Sequence, residues 1–215
     1  MSNSPLVDFT QLSPNHSGKR TCPISRITPH CYVGQVTVER MGRGFANPDK
    51  KASPNYGIGL DGRVGLFVDE GNRSWCSSSE ANDQRAVTIE IASEDKDPYE
   101  MNAVAYNKLV DLCVDICKRN GKAKLIWIPA KSTALDYEPA ENEMVLTIHA
   151  WFANKSCPGD WLISRLEELA DTVTARLSDT IYRVQIGAFH NKQYAFDYLE
   201  KVKKAGFSDA YITTK

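Results

Sequence analysis

A chain of 215 residues with a formal net charge of −1 has no basic surplus with which to hold a polyanion, which excludes nucleic acid as a partner. Its 42% hydrophobic and 25% charged residues describe an ordinary globular protein with room for one full domain and a smaller second one. The opening Met1–Arg20 lacks the apolar core of a secretory signal and no run is long enough to span a membrane, so synthesis in the cytoplasm without a signal peptide is expected.

Thr28 to Val33 reads as a short strand carrying His30, and Pro29 restricts it to a sheet edge or a strand end. Met41 to Asn55 is rich in Gly, Pro, Asn and Lys without an apolar period, which predicts a loop. Tyr56 to Leu60 and Val64 to Val68 flank Asp61-Gly62, a hairpin signal. Arg73 to Arg85 is polar and loop-like, and Ala86 to Ala92 follows as a strand built on Val87, Ile89 and Ile91. Between Tyr99 and Asn120, the residues Met101, Val104, Ala105, Leu109, Leu112, Cys113 and Ile116 recur at helical spacing, and Gly121 is placed to end the helix. Lys124 to Ile128 and Met144 to Trp151 read as strands around a polar connection, Pro129 to Asn142. Asp160 is placed to cap a second helix running to Leu177, with Leu162, Leu166, Leu169 and Val173 facing inward. The expected fold of residues 1–177 is α/β, a central mixed β-sheet flanked by helices.

A composition break near Ser178 opens a second unit, residues 178–215. Ile181 to Phe189 alternates as a strand, Asn191 to Lys204 is amphipathic, and Phe207 to Thr213 reads as a second strand, together a small partial βαβ module. Roughly 35 residues fall below the size at which a core sustains itself. The open sheet edge of such a unit is a template for another copy, so either two chains form a homodimer through it or the protein continues past Lys215.

The chemistry concentrates in His149-Ala-Trp-Phe-Ala-Asn-Lys155-Ser-Cys157-Pro-Gly. An imidazole and a thiolate suit Zn²⁺, which takes nitrogen and sulfur ligands in a tetrahedral site. Of the four histidines, His16 sits in the polar leader and His190 in the C-terminal unit, which leaves His30 as the partner of His149. Two imidazoles and the Cys157 thiolate leave one position open to water, whose pKa the metal lowers towards neutrality. Cys31 is the rival thiol, but successive strand residues point to opposite faces, so it should not share a metal with His30. The six cysteines fit a reducing compartment as thiols: Cys113 and Cys117 lie one helical turn apart on an apolar face, while Cys22 and Cys76 lie in loop-like sequence. Glu90, between Ile89 and Ile91, is costly on a buried strand unless a partner offsets its charge, which makes it the candidate general base.

These residues carry a resemblance. From Ile24 to Leu177 the chain resembles the zinc-dependent N-acetylmuramoyl-L-alanine amidases of phage endolysins and bacterial autolysins, which share a fold with the peptidoglycan recognition proteins. It rests on His30 ending the first strand, Asn55-Tyr56 entering the hairpin, Glu90 in Val87-Thr88-Ile89-Glu90-Ile91, and His149 through Lys155 to Cys157-Pro158-Gly159. The resemblance implies one Zn²⁺ per chain held by His30, His149 and Cys157, and cleavage of the amide between N-acetylmuramic acid and the L-alanine of the stem peptide in bacterial peptidoglycan. It further implies that Lys155 and Tyr56 stabilise the oxyanion and that Glu90 handles the proton of the attacking water. Trp75, Asn55 and Trp151, with the segment Met41 to Asn55, are the expected substrate contacts. The chain departs from the family at Thr28-Pro29, where apolar residues usually precede the histidine, and at Cys31, often a second histidine. Tyr182 to Phe189 with Gly206-Phe207 is similar to the first half of a SPOR module, which binds glycan strands stripped of peptide. Without a signal peptide, an endolysin released by lysis or a holin-like route is expected. The alternatives are a non-catalytic peptidoglycan-binding protein of the same fold, against which Cys157 argues, and a zinc peptidase acting within the stem peptide.

Overall fold

The computed structural model describes residues 2–178 and 184–214, and the chain divides into two compact units, Met1–Asp179 and Thr180–Lys215. The first unit is built on a seven-stranded mixed sheet of β1 (Val7–Thr10), β3 (Arg26–Val33), β4 (Tyr56–Ile58), β5 (Val64–Leu66), β7 (Ala86–Ser93), β8 (Lys124–Ile126) and β9 (Glu143–Leu146). The order across the sheet is β1-β5-β4-β7-β3-β9-β8, and β2 (His16–Lys19) pairs with β6 (Asn72–Ser74) in a separate antiparallel ribbon. The predicted hairpin is β4–β5, and Gly62 in its turn takes φ +78°, a conformation that favours glycine.

β7 and β3 form the middle of the sheet and pair in parallel along all eight residues, His30 opposite Glu90. Because side chains alternate, the two faces divide by parity. Ile27, Cys31, Val87, Ile89 and Ile91 join the large core, together with α3 (Ala103–Arg119) and α6 (Leu166–Leu177). Thr28, His30, Thr88 and Glu90 occupy the opposite face. There Thr28 and Thr147 share a 2.8 Å hydrogen bond, and Asn82 donates to Thr28 (3.0 Å) while accepting from Thr147 (3.1 Å). One face of the sheet is therefore the large core, while the other carries polar groups at Thr28, His30, Thr88 and Glu90 and a small apolar cluster further along, at Ala92. α3 forms where expected: the Asn102 side chain accepts from Ala105 N at 2.8 Å to cap it, and its inward face is continuous from Ala105 to Cys117.

Several expectations are corrected. The Pro29 strand is central, not an edge. Ile27 O accepts from Thr147 N, so the N–H that Pro29 lacks would face the same neighbour, β9, beyond its last paired residue. The segment taken as loop from Met41 begins inside a helix, α1 (Val38–Phe45), capped by Thr37, whose Val38, Met41 and Phe45 fill a small second core with Phe67 and Ala92. Gly42 belongs to that buried stripe because a Cβ there would lie 2.6 Å from the Gln11 side chain, and its lack of apolar signal hid the period. The polar stretch 73–85 holds α2 (Glu80–Asp83), the connection 129–142 holds α4 (Lys131–Asp136), and the leader supplies β1 and β2. The helix expected from Asp160 is two: α5 (Asp160–Ile163), whose start receives no side-chain cap from Asp160, and α6, separated by Ser164 and Arg165.

In the second unit α7 (Lys192–Lys204) matches the amphipathic segment, with Asn191 as its N-cap. Neither flanking strand forms among the described residues, because a lone extended segment has no ladder partner; Ile181, Tyr182 and Arg183 lie outside the described residues. No described helix of the chain is long and apolar enough to cross a membrane.

Candidate active site

β9 stops at Leu146, and the chain turns through a 3₁₀ segment at His149–Trp151. This corrects the expected strand to Trp151, and the early stop is what builds the site. It uncovers the edge of β3 around His30 and lets the following loop fold over it. Ala150 N donates to Cys157 O at 3.0 Å, closing that loop. The His149 ring then meets the His30 ring edge-on at 5.0 Å between centroids, and the Cys157 Sγ lies 3.3 Å from His30 Nδ1. One ligating atom from each of His30, His149 and Cys157 lies within 4.8 Å of the other two.

Burial sets the protonation of this group. His30 is fully buried and held well below the usual imidazole range, first by desolvation and then by the His149 ring. His149 is lowered by burial and by the Lys155 ammonium, so both rings are neutral at neutral pH, the form that binds metal. The Cys157 thiol is pushed up by its hydrogen bond with the Cys31 thiol, by burial and by the Glu90 charge, so it awaits a cation to release its proton. Glu90 is pushed up to about 7 by desolvation, against smaller opposing effects of Cys76 and Lys50. His30 Nε2 and Glu90 Oε2 are both buried without a hydrogen-bond partner. Neutral imidazoles, a thiol and an uncompensated buried carboxyl fit a Zn²⁺ ion, which would supply the missing positive charge.

Of the other expected site residues, two stand beside this group. Lys155 lines an open pocket with Cys31, Tyr99 and Cys157, and its charge is felt at His149. Trp75 lines a second pocket with Lys51, Arg73, Cys76 and His149, and its indole N–H donates to Ser17 Oγ at 2.6 Å.

Three do not reach it. Tyr56 is in register with Ile89, so its side chain enters the helix-side core, where its hydroxyl donates to Glu70 (2.8 Å) and accepts from Ser4 N (2.9 Å). Glu70 is in turn held by Arg119 at 2.6 Å, making a buried structural network. Asn55 is fully buried and binds backbone: its side-chain amide donates to Val68, Asp69 and Asn72 carbonyls and its oxygen accepts from Thr88 N. Trp151 is 9% exposed and stacks on Trp127 at 5.2 Å. The structure thus sets one of the two expected oxyanion donors, and two of the three expected substrate contacts, away from this group.

Two neighbours of the group carry no motif. Ser78 Oγ lies 2.9 Å from His149 Nε2, in a loop where Ser78 itself takes φ +62°. Cys76 Sγ lies 3.7 Å from Glu90 Oε1. Both sit in the polar stretch 73–85, where a serine run and a single cysteine give no periodicity to read.

Residues 20–160, more than half of the chain, match the protein family described as N-acetylmuramoyl-L-alanine amidase. Among solved structures, the chain is similar to a mutant of PlyL (TM-score 0.53, 16% identity, covering 77% of this chain and 97% of that one). The catalytic domain of XlyA gives a TM-score of 0.51 at 16% identity, covering 78% and 99%. The Staphylococcus aureus hydrolase AmiA in complex with its ligand gives 0.50 at 14% identity, covering 81% and 84%. At these identities the likeness is one of fold. No curated protein matches the chain by sequence.

Proposed function

Because the chain belongs to the N-acetylmuramoyl-L-alanine amidase family and is a peptidoglycan hydrolase, we propose that it cleaves the amide between N-acetylmuramic acid and L-alanine with a Zn²⁺ ion held by His30, His149 and Cys157. The observation that carries this reading is the convergence of those three ligating atoms within 4.8 Å beside a carboxyl that has no cation. When bound, zinc supplies Lewis acidity to the scissile carbonyl and lowers the pKa of water.

This chain's own residues do the rest. The Ser78 hydroxyl, 2.9 Å from His149 Nε2, holds that ring in place beside His30 and leaves Nδ1 for the metal. Glu90, beside His30 on the same face of the sheet, takes the proton of the attacking water and later delivers it to the leaving amine of L-alanine. Lys155, lining the same open pocket as Cys157, presents its ammonium to the oxyanion, a task for which Tyr56 is too deeply placed. Trp75, at the rim near His149, offers a flat apolar face to a sugar or peptide.

The C-terminal unit is read as a wall-targeting segment. The SPOR-like sequence supports this, as does the aromatic surface of α7 and its flanks, where Tyr194, Phe196 and Phe207 are exposed. A protein of this kind acts at the bacterial wall after release by lysis or a holin-like route, and pairing of two C-terminal units remains part of the proposal.

Digestion of purified cell walls tests the activity. The expected result is a stoichiometric gain of free L-alanine amino groups with no new reducing sugar ends. Reducing ends without free alanine would replace the amidase reading by a glycosidase one.

A further inference from the structure

Cys76 stands outside the proposed zinc ligands, yet it shares a second group of the same kind. A ring nitrogen of His30, the Cys76 sulfur and a Glu90 carboxylate oxygen all lie within 4.8 Å of one another. The backbone holds these positions firmly. Glu90 is the in-register neighbour of His30 on β7. Cys76 follows the Ser53–Trp75 bridge, and its N–H donates to Asp83 Oδ2 at 3.1 Å.

Four buried side-chain polar atoms lack a partner among the described residues, and two of them, His30 Nε2 and Glu90 Oε2, belong to this group. Among the described residues no salt bridge reaches Glu90. A buried carboxylate so placed is stabilised by a proton or by a cation. Sulfur, nitrogen and oxygen donors together select a borderline-soft divalent ion over Mg²⁺ or Ca²⁺. Cys76 and His149 line the same open pocket, which gives an ion a way in.

We propose that Cys76, Glu90 and His30 form a second cation site, selective for Zn²⁺ or Cd²⁺, whose filling switches the enzyme off. With Nδ1 of His30 turned to Cys157, the unpartnered Nε2 is the nitrogen left for the second ion, and the ring, as imidazolate, would be shared between the two. Filling the site releases the Cys76 thiol proton, the His30 ring proton and the proton of that fraction of Glu90 still protonated to solvent, with no change of oxidation state. It inhibits because the carboxylate that would take the proton from water becomes a metal ligand instead. This inference rests on the zinc reading above for its first ion.

The test is titration of the metal-free full chain with Cd²⁺, followed by ultraviolet thiolate-to-metal charge transfer, alongside wall digestion at rising Zn²⁺. Wild type is expected to take up two ions in succession, the second accompanied by loss of activity. Cys76→Ser, which keeps a hydroxyl beside Glu90, is expected to take up one, with saturating charge-transfer absorption reduced to about half, since one of two thiolates is gone. Its tolerance of excess Zn²⁺ should rise ~10-fold or more, the scale of losing one ligand. A wild type that binds a single ion overturns the second site and leaves the zinc amidase reading standing. Uptake of no ion sinks both. An unchanged second phase and unchanged inhibition in Cys76→Ser also overturn the proposal.

Discussion

Glu90 ionises near pH 7 because its carboxyl is desolvated, whereas an unfolded chain would ionise it near the ordinary 4.5. In the metal-free protein the folded state therefore keeps a proton that the unfolded state has already lost. By linkage, the stability this contributes is complete below about pH 4.5 and is lost as pH rises to about 7. Comparing the metal-free wild type with Glu90→Gln isolates the effect: the wild type should lose stability relative to the variant across that window, and parallel curves would contradict it. With zinc present, Glu90→Gln should keep the metal while its rate falls ~10²-fold or more, the contribution of a positioned base. Unchanged kinetics would reduce Glu90 to a structural carboxyl. At this scale the sequence was informative where chemistry is local: His149, Lys155 and Cys157 lie within nine residues, and a charge between Ile89 and Ile91 is anomalous on its face. Ser78 and Cys76 were invisible, because their partners are 71 and 14 residues away and nothing in their own neighbourhood marks them.

The strand is the element that sorts these residues. On β3 and β7, His30 and Glu90 share the even-numbered face and meet, while Cys31 lies on the odd-numbered face at the border of the core, where Cys157 packs against it. Tyr56 falls on the wrong side of this division, since β4 sets it opposite Ile89 and sets Gly57 opposite Glu90. A one-residue offset in register reverses the face of every side chain, and register depends on pairing between strands far apart in the chain. That is why the hairpin was legible from Asp61-Gly62 but the placement of Tyr56 was not. Tyr56→Phe should accordingly lower stability by roughly 1–2 kcal/mol, through loss of buried hydrogen bonds, and leave the rate essentially unchanged. Chemical denaturation and wall digestion on the same variant decide the matter; a large rate loss with intact stability would return Tyr56 to the oxyanion. Pro29 teaches a related lesson: a missing N–H marks only the side of a strand without a ladder partner, and here that side opens where β9 ends.

As a whole, the molecule places its proposed chemistry on the first unit, whose buried core is drawn from Ile24 to Val173, with Leu6, Val7 and Leu177 packed against it. The amphipathic helix of the C-terminal segment was readable from its period, but strands need partners that a single segment cannot announce. Removal of residues 180–215 should therefore leave the unfolding midpoint and zinc content of the first unit unchanged while weakening retention on insoluble walls. A drop of several degrees in the midpoint would show that the unit depends on its tail. The central claim is that His30, His149 and Cys157 hold the ion that makes the chain an amidase. Its most direct test is zinc content measured with L-alanine release after dialysis against metal-free buffer, on wild type and Cys157→Ser side by side. Wild type should retain one tightly held ion and release L-alanine, and Cys157→Ser should lose both together. Full zinc and full rate in Cys157→Ser would contradict the three-ligand site.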